Sequence, residues 1–111
     1  MDINKVVEDV TAIAKEHGWD ENWNDFEKIA LCHSELSEAV EELRNGHQPD
    51  EIYCNGPIGD RKPEGYPIEL ADTIIRIMHI CGHHKIDLDR AIYLKMRYNQ
   101  EREWRHGGKI A

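Results

Sequence analysis

The chain has 111 residues, a formal net charge of -8 and 40% hydrophobic residues with a single Phe. That is enough for one domain with a small core, so a lone copy is marginal and self-association is expected. The acidic balance excludes a general nucleic-acid or anionic-membrane surface, both of which need basic patches, yet admits a small polyanion held through metal ions.

Cys32, Cys54 and Cys81 are odd in number and show no CxxC spacing. They read as reduced thiols of a cytoplasmic protein. The start Met-Asp-Ile-Asn-Lys lacks the apolar run of a secretory leader, and no stretch approaches the length of a membrane span.

Residues 2–17 place Ile3, Val6, Val7, Val10, Ile13 and Ala14 at helical spacing, with Gly18 as the stop. Trp19 and Trp23 sit in a short polar connection, where an indole either plugs a helix corner or stacks on a base. Asn24 is a good N-cap, with Glu27 where a capping box wants its acid. The second helix then runs to about Arg44 and ends at Asn45-Gly46. Phe26, Ile29, Ala30, His33, Leu36, Val40 and Leu43 are expected to face the core. At about 100° per residue, Glu35 and Glu38 lie roughly 140–160° from that stripe. Leu31, beside them, implies that this second face is covered as well.

Residues 45–68 contain all four prolines and four of the eight glycines. A connection this long is usually functional. Pro67 suits the first turn of a third helix. Ile68, Leu70, Ala71, Ile74, Ile75, Ile77, Met78, Ile80 and Cys81 make that helix central and buried, and Gly82 is expected to close it. Its one polar stripe is Glu69, Asp72, Arg76 and His79. His79, His83 and His84 have no acid or cysteine at a zinc spacing. Asp87 is the expected N-cap of a fourth helix reaching about Trp104 or Arg105, with Lys95, Asn99 and Arg102 on one stripe. His106-Gly107-Gly108-Lys109 is a basic tail. The expected fold is therefore all-α: a single domain over residues 1–111, a four-helix bundle with a long Pro/Gly loop between helices 2 and 3, its core completed by oligomerisation.

The chemistry lies in two acid pairs, Glu35-x-x-Glu38 and Glu69-x-x-Asp72. Acids three residues apart share a helical face, and two such pairs on facing helices make a self-repelling cluster that divalent cations relieve. A second pair inside a buried helix favours metal over a solvated face, because buried charges are paired or metal-bound. Neither pair is followed by the histidine that a ferritin-like di-metal oxidase would need.

The paired ExxE and ExxD motifs resemble the signature of the MazG-like family of all-α nucleoside triphosphate pyrophosphohydrolases. The segment Leu31-Cys32-His33-Ser34-Glu35-Leu36-Ser37-Glu38-Ala39 resembles its phage and bacterial branch, as does Tyr98-Asn99-Gln100-Glu101-Arg102 with His106-Gly107-Gly108-Lys109. The likeness covers the chain from about Trp19 onward. One departure is visible: thirty residues separate Glu38 from Glu69, more than the family's usual spacing. The resemblance implies that a (deoxy)nucleoside triphosphate and water give the monophosphate and pyrophosphate. It implies two or more Mg2+ or Mn2+ ions on Glu35, Glu38, Glu69 and Asp72, with Glu35 or Glu38 orienting the water. Lys95, Asn99, Arg102 and Lys109 would meet the phosphates and sugar. Trp19, Trp23, Asn24, His33 and the loop around Tyr53 are candidates for the base by chemistry alone. Some phage members of this branch act on dGTP. A homodimer or homotetramer in the cytoplasm follows. The alternative from a different class is a non-catalytic helical module with a structural metal site.

Overall fold

The computed structural model describes residues 2–54 and 61–102. Four helices carry the fold: α1 (Ile3–Glu16), α2 (Asp25–Arg44), α3 (Tyr66–His84) and α4 (Leu88–Glu101). Between α2 and α3 lies a ribbon of β1 (Tyr53–Cys54) and β2 (Pro63–Glu64), paired antiparallel with Tyr53 opposite Glu64. Three helix starts are capped as their sequences dictate. Asp2, Asn24 and Asp87 each accept the backbone N–H three residues on, from Lys5, Glu27 and Arg90.

α3 is the middle of a row, with α1 on one flank and α2 on the other. Both neighbours run antiparallel to it. Thr11 of α1 meets Gly82 near the end of α3, while Asp25 at the start of α2 bonds His84 and Glu35 bonds Arg76. The α1–α3 seam is the conventional one: Val7, Met78 and Cys81 are buried, with Ile3, Val6, Val10 and Leu88 packed around them. The α2–α3 seam is built differently. Its buried residues are Cys32 and Ala39 on α2 and Thr73 on α3. These are small side chains that let the helices come close.

Two expectations are corrected. Gly82 does not end α3; the helix continues to His84 and stops at Lys85, which adopts φ 57°. Gly82 is a point of helix contact instead, since a Cβ there would lie 1.7 Å from Thr11 Oγ1. The apolar stripe of α2 does not face the core either. Phe26 is 88% exposed, and Ile29, Leu36, Val40 and Leu43 are exposed with it. The small residues and the carboxylates turn toward α3, and the large apolar residues turn out. Leu70, Ile74 and Ile77 of α3 are exposed too. They fall on the side of α3 opposite Asp72 and His79 at about 100° per residue. The helix row thus has an apolar slab on one face and, on the other, the face that carries Asp72, Arg76 and His79.

The long connection is anchored where it is described. Tyr53 donates its hydroxyl to both oxygens of Glu42, at 2.9 and 2.8 Å, and the ring of His47 stacks on Tyr53 at 4.5 Å. That hydrogen bond is the main cause pushing the Tyr53 phenol up to about 12. Gly65, at φ 126°, leads into α3 where a Cβ would meet the Glu51 carbonyl at 2.2 Å. α4 begins well tied: the Asn4 side chain donates to Asp87 at 2.8 Å and accepts from the Asp89 N–H at 3.2 Å. Beyond that first turn α4 stands out from the row and has no buried residue. Among the described residues, no helix is long and apolar enough to cross a membrane.

Candidate metal centre

The close α2–α3 seam brings one flank of α2 over the first turns of α3. There Glu35, Glu69 and Asp72 converge, each offering a carboxylate oxygen within 4.8 Å of the others. All three are half-buried. Such a spacing suits one hard cation bridging them, because oxygen ligands at about 2.0–2.6 Å from an ion lie a few ångströms from each other.

The electrostatics agree with a site built to hold positive charge. Glu69 Oε2 is buried, and no hydrogen-bond donor reaches it among the described residues. Burial first, then proton sharing with the Glu38 and Glu35 carboxyls, pushes the pKa of Glu69 up to about 8. Asp72 is also raised, chiefly by burial and then by Glu35, while Arg76 and Lys62 pull the other way. Glu35 Oε1 accepts from Arg76 Nε at 3.0 Å. Arg76 thus ties down the acids, as its place one turn beyond Asp72 implies. Carboxylates crowded so tightly must share protons, borrow an arginine or take a cation.

Glu38 lies at the rim. It is exposed and falls outside the group of three, while still close enough to raise Glu69. Next to the acids opens a groove of about 610 Å³, lined among others by Glu35 and Lys28 of α2, by Asp72, Ile75, Arg76 and His79 of α3, and by Ile13 and Trp19. Burial, then the charge on Lys28, lowers the pKa of His79, so its ring is neutral near pH 7. His79 and Arg76 belong to the polar stripe visible in the sequence. Lys28 gives no such signal, since a lysine in an amphipathic helix reads as solvated. Its ammonium donates to the Trp19 carbonyl at 3.0 Å and lies 4.8 Å over the Trp23 ring.

The remaining candidates are dispersed. Trp23 stacks on His83 at 3.8 Å and donates to Asp25 at 2.6 Å. It plugs the α2–α3 corner and borders the groove through an edge contact with His79 at 5.0 Å and through the Lys28 ammonium over its ring. His33 is exposed and points about 200° away from Glu35 around α2, into the apolar slab. Lys95, Asn99 and Arg102 are exposed on and just after α4, away from their own chain's acids. Lys109 lies outside the described residues. No protein-family model, curated protein or solved structure matches this chain.

Proposed function

We propose that this protein is a metal-dependent nucleoside triphosphate pyrophosphohydrolase, cleaving between the α and β phosphates to release the monophosphate and pyrophosphate. The observation that carries the reading is the convergence of Glu35, Glu69 and Asp72 in a helical seam, with a buried Glu69 oxygen that no donor among the described residues satisfies. The all-oxygen donor set fits Mg2+ or Mn2+. Bound there, such ions supply charge neutralisation for phosphate oxygens and acidify water. Glu35, Glu69 and Asp72 hold the cations, and Arg76 fixes the Glu35 carboxylate. Glu38, exposed beside Glu69, takes the proton of the water that attacks the α-phosphorus as the bond to the bridging oxygen breaks and pyrophosphate leaves. The groove beside the acids receives the nucleoside end. The apolar slab of α2 and α3 supports a homodimer or homotetramer, the setting in which so many exposed large side chains are stable. A cytoplasmic enzyme acting on free (deoxy)nucleotides, dGTP among them, is consistent with the acidic surface.

Product analysis tests this. The protein is incubated with each common ribo- and deoxyribonucleoside triphosphate, with Mg2+ or Mn2+ and with a chelator control. Monophosphate plus pyrophosphate, lost with the chelator, is expected. Diphosphate plus orthophosphate refutes the cleavage position. Cation binding without turnover of any nucleotide favours the non-catalytic module, a reading supported by the Arg76–Glu35 pair, which stabilises the metal-free site.

A further inference from the structure

We propose that the ribbon between α2 and α3 is a wall of the acid site, and that its Lys62 meets the outer oxygens of a polyphosphate held on Glu35, Glu69 and Asp72 through cations. The triphosphate as ligand rests on the pyrophosphohydrolase reading; the capture of outer phosphate oxygens by Lys62 does not.

The place of the ribbon follows from where it is fastened. On α2 it is held at Glu42, one turn beyond Glu38. The Tyr53 hydroxyl reaches both Glu42 oxygens, and His47, stacked on Tyr53, lies 3.9 Å from Glu42 and 3.2 Å from Glu51. On α3 the ribbon runs straight into the helix: β2 ends at Glu64, and the Gly65 carbonyl accepts from the Ile68 and Glu69 N–H groups. Across the ribbon, the Cys54 thiol donates to the Arg61 carbonyl at 3.7 Å, which ties the residue before Lys62 to β1. So fastened, the ribbon bridges the α2–α3 seam at the end where the acids sit.

The side on which Lys62 falls follows from the alternation of an extended chain. Tyr53 and Glu64 pair with each other and are half-buried; Cys54 and Pro63 make the next pair and are exposed. The Tyr53–Glu64 side is therefore turned to the helices, as the bond from Tyr53 to Glu42 requires. Lys62, two residues before Glu64, shares that side. It is itself exposed, so it stands at the mouth of the seam and not within it. Its charge reaches Asp72, where it opposes the effect of burial.

The chemistry suits that place. A polyphosphate bound through divalent cations keeps its outer oxygens away from the acids, toward the mouth. Arg76, the other cation whose charge reaches Asp72, is bonded to Glu35. A lysine is a compact point charge on a long stem, able to follow oxygens that shift as pyrophosphate leaves. Tyr53 is then a positioning residue, which acts on the ligand through the ribbon.

The test uses the full chain, with inorganic pyrophosphate and Mg2+ as probes in calorimetry. Lys62→Gln is expected to weaken pyrophosphate binding in saturating Mg2+ by about tenfold, the loss of one charged hydrogen bond. Lys62→Arg should stay within about threefold of wild type, since the charge is kept. Affinity for Mg2+ alone should hold or rise in Lys62→Gln, because a positive charge beside Asp72 has gone. Tyr53→Phe should weaken pyrophosphate less, and add little on top of Lys62→Gln, because the two act as one unit. Pyrophosphate affinity that Lys62→Gln leaves within about twofold overturns the proposal. So does an equal loss of Mg2+ and pyrophosphate affinity, the mark of a ribbon that merely supports the fold. Pyrophosphate binding that needs Lys62, in a protein that turns over no nucleotide, sinks the pyrophosphohydrolase reading and leaves the role of Lys62 standing. Turnover with an unchanged KM in Lys62→Gln does the reverse.

Discussion

The two sides of α2 make opposite use of the same helix. The side toward α3 carries Cys32 and Ala39 with Glu35 and Glu42, and is covered; the side away carries Phe26, Ile29, Leu36, Val40 and Leu43, and is exposed. Hydrophobicity alone predicts the reverse. What decides is closeness. Small side chains at the seam bring the α2 and α3 backbones together, so carboxylates flanking the seam come within range of one ion. Bulky residues in their place would hold the helices apart and scatter the acids. The large apolar stripe is then left on the exposed side of the helix.

If the acid side of α2 is a metal centre, removing one ligand charge is catastrophic. Glu69→Gln or Asp72→Asn is expected to lower turnover by at least about 100-fold, the upper end of what even outer-shell partners contribute. Cation affinity measured by calorimetry should fall with it, and helicity by circular dichroism should not. Near-normal rates in both variants would mean that the acids are merely crowded. The apolar side is attacked with Val40→Asp. On a solvated helix face this change moves stability by less than about 0.5 kcal/mol. In an interface it buries an unpaired charge, so light scattering should show the assembly falling to a lower mass. An unchanged mass would make the slab an ordinary surface.

A smaller effect separates the site from the rest of the fold through pH. Glu69 titrates near 8 in the folded protein instead of near 4.5. The folded state therefore holds a proton that the unfolded chain has already released. Without metal, stability falls as pH rises from about 4.5 to about 8, and Asp72, also raised, acts in the same direction. His79 has the opposite sign. Its pKa is lowered by burial, so its contribution is lost as pH falls through the ordinary histidine range near 6.5. Saturating Mg2+ or Mn2+ should flatten the alkaline arm of a Tm–pH curve and leave the acid arm in place. An alkaline arm that ignores the cation would place the ion elsewhere.

Much of the architecture was legible. Helix starts followed from Asp2, Asn24 and Asp87, because a capping side chain acts within three residues of its own position. Pro67 marked the first turn of α3 for the same local reason. The acid pairs and the link from Arg76 to the acids were readable from helical spacing. The end of α3 was not, since Gly82 serves the distant Thr11. The two-stranded ribbon was also hidden: strands of two residues have no periodicity to read.

The sequence by itself determined four helices, their caps, and which carboxylates share a helical face, because these depend on neighbours within one or two turns. Only the tertiary structure decided that the face with Glu35 turns inward, that Glu38 stays at the rim, that His33 points away, and that α4 leaves its own chain's acids behind. Those outcomes depend on how closely α2 approaches α3 and where α4 is pinned. Both distances are set by contacts between residues far apart in the chain, such as Asn4 with Asp87 and Glu35 with Arg76. A helical period says what shares a face; it does not say what that face will meet.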